Sequence, residues 1–99
     1  MNIGKLNDIP VLGSRVVQTE RGEIAIFRTS DDAIFAIANN CPHKEGPLAD
    51  GIIHGHKVTC PLHNWQINLE NGEAIAPDQG CAESFKIEVD TDGNLLLNI

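Results

Sequence analysis

Short runs of apolar and β-branched residues alternate with polar ones along the first forty positions. The runs are separated by the polar turns Glu20–Gly22 and Ser30–Asp32, and they cover Ser14–Thr19, Glu23–Thr29 and Ala33–Ala38. A period of two places one set of side chains on a buried face and the other set in water, which is the pattern of a β-strand. The chain therefore begins with a predicted β-meander of three strands.

The same pattern continues to the carboxyl end in three predicted hairpins. The first hairpin pairs Gly51–Ile53 with His56–Cys60 through the turn His54-Gly55. The second pairs Trp65–Leu69 with Glu73–Ile75 through Asn71-Gly72, and the third pairs Ser84–Val89 with Asn94–Ile99 through Thr91–Gly93. Asn-Gly is a strong short hairpin signal. Sustained helical periodicity with caps at both ends is missing from the sequence, so we predict an all-β fold. With 99 residues and 10.7 kDa, the chain has room for one core, and we predict a single domain over residues 1–99.

Acidic residues outnumber basic ones by fourteen to seven, which gives a formal net charge of -7. This balance argues against binding to nucleic acid or to anionic membranes, because both need a basic surface. It suits a partner with a basic docking surface, although the charge alone favours an ordinary solvated acidic surface. The amino terminus lacks a cationic segment followed by a long apolar run, and no stretch is long enough to cross a bilayer. We expect a soluble, unprocessed protein of the cytoplasm.

Two short loops carry the candidate chemistry. Cys41-Pro42-His43 is followed after sixteen residues by Cys60-Pro61-Leu62-His63, and each loop offers one thiolate and one imidazole. Two sulfide-bridged irons need four protein ligands, with soft thiolates suited to one iron and neutral imidazoles tolerated on the other. Cys41 and Cys60 would bind one iron, and His43 and His63 the other. The prolines restrict the backbone after each cysteine, and the predicted ligand loops span about 41–51 and 60–65.

Two other interpretations of these residues remain open on the pattern alone. Two cysteines and two histidines also bind zinc in small domains, but zinc fingers usually place the two cysteines together and the two histidines together. Cys60 and His63 could form a nucleophile–base pair, although this leaves the first loop unexplained. Cys81 is not needed as a ligand, and we expect it to be a small buried apolar residue.

The region from 41 to 65 resembles the cluster-binding region of Rieske-domain proteins. The resemblance covers the four ligand positions, both prolines, the connecting segment Pro47–Gly51, and Trp65 two positions after the last ligand. It implies a [2Fe-2S] cluster, an antiparallel β-sandwich with a small cluster-binding subdomain formed by the two loops, and one-electron transfer. It implies no catalytic residues and no independent catalytic pocket. Trp65 is then expected to pack beneath the cluster.

Three longer stretches narrow the resemblance. CPHKEGPLADGIIHG, TCPLHNWQINLENGEA and APDQGCAESFKIEV resemble the small subunits of assimilatory NAD(P)H-dependent nitrite reductases. This implies an oxidoreductase subunit whose partner is a large flavin and siroheme subunit that reduces nitrite to ammonium in nitrogen assimilation. The alternative is a stand-alone Rieske ferredoxin that carries electrons from a flavin reductase to a ring-hydroxylating dioxygenase or related oxygenase.

Residues near the predicted ligands give two further expectations, one about the reduction potential and one about two further histidines. Gly46 and Leu62 stand where respiratory Rieske proteins have a disulfide, and the chain has no tyrosine to donate a hydrogen bond to the cluster. With the acidic net charge, this predicts a reduction potential near the low end of the Rieske range, about -150 mV. His54 and His56 are expected at an exposed hairpin tip, in structural or solvent-facing roles.

Overall fold

The computed structural model describes residues 1–40, 47–60, 65–75 and 80–98. These ranges form nine β-strands: β1 Asn2–Lys5, β2 Ser14–Thr19, β3 Gly22–Arg28, β4 Ile34–Ala38, β5 Ile52–His54, β6 Lys57–Thr59, β7 Gln66–Asn68, β8 Ser84–Val89 and β9 Asn94–Asn98. Short 3-10 turns occur at Leu6–Asp8 and Leu48–Asp50. The predicted all-β class is confirmed. Among the described residues, no helix is long and apolar enough to cross a bilayer.

All strand pairs are antiparallel and they form two sheets. The six-stranded main sheet has the order β1-β9-β8-β4-β3-β2, and the three-stranded small sheet has the order β5-β6-β7. The predicted meander is β2-β3-β4, with Ser14 opposite Phe27 and Ile24 opposite Ala38. The small sheet carries both arms of the predicted hairpin that leads to Cys60.

Strand β3 is buried on both faces, and this organises the core. Ala25 and Phe27 belong to a cluster that continues into the small sheet, whereas Ile24 and Ile26 belong to a second cluster with residues of β1, β4 and β9. Since β9 lies three strands away from β3 in the sheet order, the main sheet must curl over itself to bury the second cluster. The first cluster holds the small sheet against the main sheet.

Arg15 connects the two edges of the curled sheet. From β2 it donates a hydrogen bond of 2.9 Å to the carbonyl of Ile3 on β1, and its guanidinium lies 3.9 Å from Asp8. Gly4 leaves space for this side chain, because an added Cβ would lie 2.5 Å from the guanidinium, and its φ of +118° also favours glycine. Strand β1 was not predicted from the sequence pattern.

Two sequence expectations need correction or refinement. The Asn71-Gly72 turn is present, with φ of +76° at Gly72, but its second arm forms only the isolated bridges Ile67–Ala74 and Glu73–Cys81. Cys81 was predicted to be buried, and this is wrong: it is exposed. Its bridge to Glu73 places it beside the turn at the surface, where its Sγ lies 3.9 Å from the carbonyl oxygen of Asn71.

Candidate metal centre

Cys60 is the predicted ligand that lies within the described residues. It follows β6 directly, is fully buried, and donates its backbone N–H to the carbonyl of Trp65 at 2.6 Å. Cys41, His43 and His63 lie outside the described residues, so their assignment as ligands stays a prediction. Elsewhere in the described ranges, no group of three or more His, Cys, Asp or Glu side chains is arranged to hold a metal ion.

The small sheet presents Cys60 at one end of the β5–β6 hairpin. Ile52 pairs with Thr59, Ile53 with Val58, and His54 with Lys57, so the turn at Gly55 lies at the opposite end from the cysteine. Gly55 has φ of +59°, a conformation that glycine adopts without strain. Strand β7 then pairs with β6 and carries the chain away from the second ligand loop.

Within the described ranges, Cys60 packs among apolar side chains. It belongs to the core cluster that includes Leu48 and Val58, and the partly buried Trp65 packs against that cluster. A thiolate buried among such side chains is costly unless a cation lies beside it, and a metal ion supplies that positive charge. The burial of Cys60 therefore fits a metal-bound thiolate.

Asn39 holds the base of the first predicted ligand loop, a role that sequence reasoning missed. This residue is 5% exposed, and it accepts the N–H of Ala49 at 2.8 Å through Oδ1. Its Nδ2 donates to Oε1 of Glu23 at 3.0 Å, and its backbone N–H donates to the Glu23 carbonyl at 2.9 Å. One side chain thus joins the two ends of the segment that contains Cys41 and His43. The sequence signal was a polar residue at the end of a buried strand, just before the loop.

Neighbouring contacts complete this support. Ser14 donates its hydroxyl to the carbonyl of Ala49 at 2.7 Å, and Gln18 donates to Oε2 of Glu23 at 3.0 Å. The hydrogen bonds from Asn39 and then Gln18 lower the pKa of Glu23 below its ordinary value of 4.5, because they stabilise the carboxylate. The first loop therefore starts and ends on a hydrogen-bonded network anchored in β2 and β3.

Gly51 lets the first loop pass close to β6. An added Cβ would lie 2.3 Å from the carbonyl oxygen of Thr59 and 2.8 Å from a methyl group of Val58. Its φ of -77° is ordinary for any residue, so space and not conformation requires glycine here. The 3-10 turn Leu48–Asp50 is thereby packed against the strand that ends at Cys60.

The neighbouring histidines differ in their surroundings. His54 is exposed and its Nε2 lies 2.8 Å from the hydroxyl of Thr59 in the same hairpin. His56 is partly buried, with its Nε2 2.9 Å from Oδ2 of Asp31 and its Nδ1 3.8 Å from Oε2 of Glu70. The hydrogen bond to Asp31 is the main cause that raises the pKa of His56 above 6.5. The expected hairpin tip is confirmed, and its contacts to Asp31 and Glu70 were not predicted.

Comparison with known proteins places this geometry in a known family. The family model described as the Rieske [2Fe-2S] domain matches residues 1–86. A ferredoxin component of the naphthalene 1,2-dioxygenase/salicylate 5-hydroxylase systems of a Ralstonia species is 31% identical over 70 residues, which are 71% of this chain and 66% of the relative. The chain spans much smaller shares of two other relatives. It covers 8% of a Mycolicibacterium smegmatis protein described as a Rieske 2Fe-2S iron–sulfur protein, and 12% of the 4β-methylsterol monooxygenase of Methylococcus capsulatus.

Solved structures share the whole fold. The protein NirD of Escherichia coli has a TM-score of 0.84 and 28% identity, with 98% of this chain and 93% of that chain covered. A Mycobacterium tuberculosis protein described as an NADH-dependent nitrite reductase small subunit has a TM-score of 0.89 at 16% identity, over 98% and 91% of the two chains. The ferredoxin of carbazole 1,9a-dioxygenase from Nocardioides aromaticivorans has a TM-score of 0.87 at 22% identity, over 98% and 94%. The last two similarities concern the fold alone.

Proposed function

The chain belongs to the Rieske [2Fe-2S] domain family, and from this premise we propose that it transfers single electrons through a cluster held by Cys41, His43, Cys60 and His63. The family binds a [2Fe-2S] cluster, which supplies reversible storage of one electron when bound. The observation that carries the ligand assignment is the fully buried Cys60 at the end of β6, next to the hydrogen-bonded base of the other loop.

Each supporting residue has a defined task in this proposal. Cys41 and Cys60 supply the thiolates, and His43 and His63 supply imidazoles, whose neutral charge raises the potential above that of all-cysteine sites. Asn39 fixes the first loop, and Trp65 with the apolar cluster excludes water from the side of Cys60. Water exclusion lowers the local dielectric and so influences the potential. The domain over residues 1–99 needs no substrate pocket for this task.

For the physiological role, we propose the small subunit of an NAD(P)H-dependent nitrite reductase. The proposal is supported by the resemblance of HNWQINLENGEA and PDQGC to such subunits, and by the similarity to NirD over nearly the whole chain. The partner would be a large subunit with flavin and siroheme, and the pair would convert nitrite to ammonium in nitrogen assimilation. Cys81, an exposed thiol, suits a reducing compartment, and we propose the cytoplasm.

The second candidate is a ferredoxin that serves an oxygenase. The specific observation in its favour is the 31% identity with the Ralstonia dioxygenase-system ferredoxin component. In that case the partners would be a flavin reductase and a ring-hydroxylating dioxygenase or related oxygenase. Both candidates need the same four ligands, so the partner decides between them.

Reconstitution with each partner separates the two roles. In one assay the chain is combined with a large flavin/siroheme nitrite reductase subunit, and NAD(P)H-dependent consumption of nitrite is measured. In the other it is combined with a flavin reductase and a ring-hydroxylating oxygenase, and NAD(P)H-dependent hydroxylation of the substrate is measured. The proposal predicts nitrite consumption with the wild type and with Cys81→Ser, but not with Cys60→Ser. Hydroxylation without nitrite consumption would instead assign the chain to the oxygenase system.

A further inference from the structure

The β5–β6 hairpin contacts the rest of the molecule at both of its ends. At the turn, which is the end opposite Cys60, these contacts are made by His56. Its strands place Ile53 and Val58 in the core cluster, while its last residue leads into Cys60. Movement of the whole hairpin away from the core would therefore move Cys60. The contacts of His56 stabilise the packing of the hairpin turn against the rest of the molecule.

His56 contacts three other elements at once. Its Nε2 lies 2.9 Å from Oδ2 of Asp31 in the turn between β3 and β4, and its Nδ1 lies 3.8 Å from Oε2 of Glu70 after β7. Its ring lies 4.9 Å from the ring of Phe35 on β4, tilted by 60°. Its backbone carbonyl accepts the N–H of Leu69 at 2.8 Å. The residue thus joins the small sheet to the main sheet.

The Asp31 carboxylate is held in position by contacts other than the one to His56. The hydroxyl of Thr29, which is fully buried, donates a hydrogen bond to the Asp31 carboxylate, and the N–H of Ala33 donates to the same hydroxyl at 3.1 Å. A carboxylate held in one position loses less conformational entropy when it binds a cation. The β3–β4 turn therefore offers a preorganised acceptor to the hairpin.

We propose that His56 is a positioning residue for the iron–sulfur site: its imidazolium clamps the hairpin that ends at Cys60 onto the Asp31 turn, and so makes retention of the cluster depend on protonation. This inference rests on the proposed function in one respect, the assignment of Cys60 as a ligand. The clamp itself is a property of described residues and is testable without the cluster.

The sign of the pH dependence follows from the charges that face His56. Asp31 faces it from the β3–β4 turn, Glu70 from the segment after β7, and Phe35 adds an uncharged ring; its own hairpin carries His54 and Lys57. The hydrogen bond to Asp31, followed by the charges of Asp31 and Glu70, raises the pKa of His56 above 6.5. The clamp is therefore complete below pH 6.5 and weakens as the pH rises through the higher folded-state pKa.

The acidic limit comes from Asp31. Hydrogen bonds from Thr29 and then His56 lower its pKa from 3.8 to about 2. Stabilisation from this carboxylate is present above pH 3.8 and is lost as the pH falls toward 2. The clamp is thus strongest between those two limits, in mildly acidic solution.

The test compares His56→Gln with His54→Gln. Glutamine keeps a hydrogen-bond donor without a charge, and His54 is an exposed histidine of the same hairpin that faces no acidic partner among the contacts described above. Loss of visible absorbance under a chelator is followed at about pH 6 and about pH 9, on either side of the imidazole titration. The amide hydrogen-exchange rates of Leu69 and Val58 are measured in the same variants. Each rate is divided by the wild-type rate at the same pH, which gives the exchange ratio.

We expect His56→Gln to lose the cluster about two- to fivefold faster than wild type near pH 6, the range for a partly exposed ion pair, and at the wild-type rate near pH 9. The exchange ratio should show the same pH dependence, because local opening limits both processes. His54→Gln should match wild type at both values. Titration of the ligand histidines is shared by all variants and cancels in these ratios.

A double-mutant cycle identifies the partner. Asp31→Asn should accelerate cluster loss in the wild-type background near pH 6 and add little in the His56→Gln background. A His56→Gln ratio that is the same at both pH values, or additive effects of the two substitutions, would overturn the clamp. A wild-type protein with neither iron nor sulfide would refute the proposed function instead, and the exchange ratios of the metal-free chain would still decide on the clamp.

Discussion

Asn39 illustrates how one buried side chain can anchor a predicted ligand loop. It satisfies the N–H of Ala49 and the carboxylate of Glu23 at the same time, and it is almost fully removed from water. A buried polar group left without its partner costs about 1–3 kcal/mol. The loop between the two anchor points is therefore held by an interaction that is expensive to break.

Asn39→Ala should lower the free energy of unfolding by about 1–3 kcal/mol, because it removes a nearly fully buried hydrogen-bonded amide and leaves the partly buried Ala49 N–H without its acceptor. It should also reduce iron content, since the first ligand loop loses its anchor. Chemical denaturation with iron analysis measures both effects. Asn40→Ala, at an exposed neighbouring position, is the matched control and should leave both unchanged. Equal effects of the two substitutions would contradict this role for Asn39.

Glu23 gives the same network a pH dependence. Its pKa lies below 4.5 in the folded chain, so it contributes stability above that pH and loses it as the pH falls through the folded-state value. The Glu23→Gln variant should therefore lose less stability than the wild type when the pH falls from neutral to acidic values. Thermal unfolding between neutral pH and about pH 3 checks this, and an unchanged acid slope in the variant would count against the assignment.

At the scale of elements, the strands of the meander and the last hairpin were predictable because their alternation is regular. The predicted bounds of Ser14–Thr19 and Ser84–Val89 agree with β2 and β8. Strand β1 was missed because Gly4 interrupts its pattern and because its partner β9 lies at the other end of the sequence, with Asn2 opposite Leu96 and Lys5 opposite Asn94. Such long-range pairing leaves no local signal in the sequence.

The candidate site was predictable in part for a related reason. The spacing of cysteines and histidines predicts the ligand loops, which stay a prediction, and the structure places Cys60 as a buried residue at a strand end. The supporting contacts of Asn39 and His56 were not predictable, since their partners are brought together only by sheet packing. Asp31, for example, lies 25 positions from His56.

Two glycines of neighbouring elements should respond differently to substitution. Gly51 lacks space for a Cβ but has an ordinary φ, whereas Gly55 has open space and φ of +59°. Gly51→Asn should be worse than Gly51→Ala, because overpacking costs about 1–3 kcal/mol and grows with side-chain volume. At Gly55, asparagine should be tolerated better than alanine, since it accepts a left-handed conformation.

Free energies of unfolding for these four variants measure the contrast. The opposite orders at the two positions are the expected result, with each glycine serving as the control for the other. The same order at both positions would contradict the prediction, because it would show that one factor, side-chain volume or backbone conformation, determines the cost of substitution at both glycines.

At the scale of the whole molecule, the net charge of -7 should matter for partner encounter. Among the described basic residues, Arg15, Arg21, Arg28 and Lys86 each lie within 4.0 Å of an acidic side chain, which leaves the surface acidic overall. Reduction by a partner with a basic docking surface should therefore slow by roughly tenfold or more as salt screens the attraction. Stopped-flow rates against ionic strength measure this, and rates independent of salt would contradict charge-guided docking.

The proposed imidazole ligands, His43 and His63, should make the reduction potential depend on pH. Each imidazole proton released on oxidation makes the potential fall by about 59 mV per pH unit in alkaline solution. Protein-film voltammetry from neutral to alkaline pH tests this expectation for His43 and His63. A constant potential over that range would argue against solvent-exposed histidine ligands.

The central claim is that Cys60 is one of four side chains that hold an iron–sulfur cluster, and the most direct measurement is the iron and acid-labile sulfide content of anaerobically purified variants. Cys81→Ser, at an exposed position, should retain the wild-type content of both elements, with the brown colour of the cluster. Cys60→Ser should contain neither. Undiminished iron and sulfide in Cys60→Ser, or their absence from the wild type, would contradict the account.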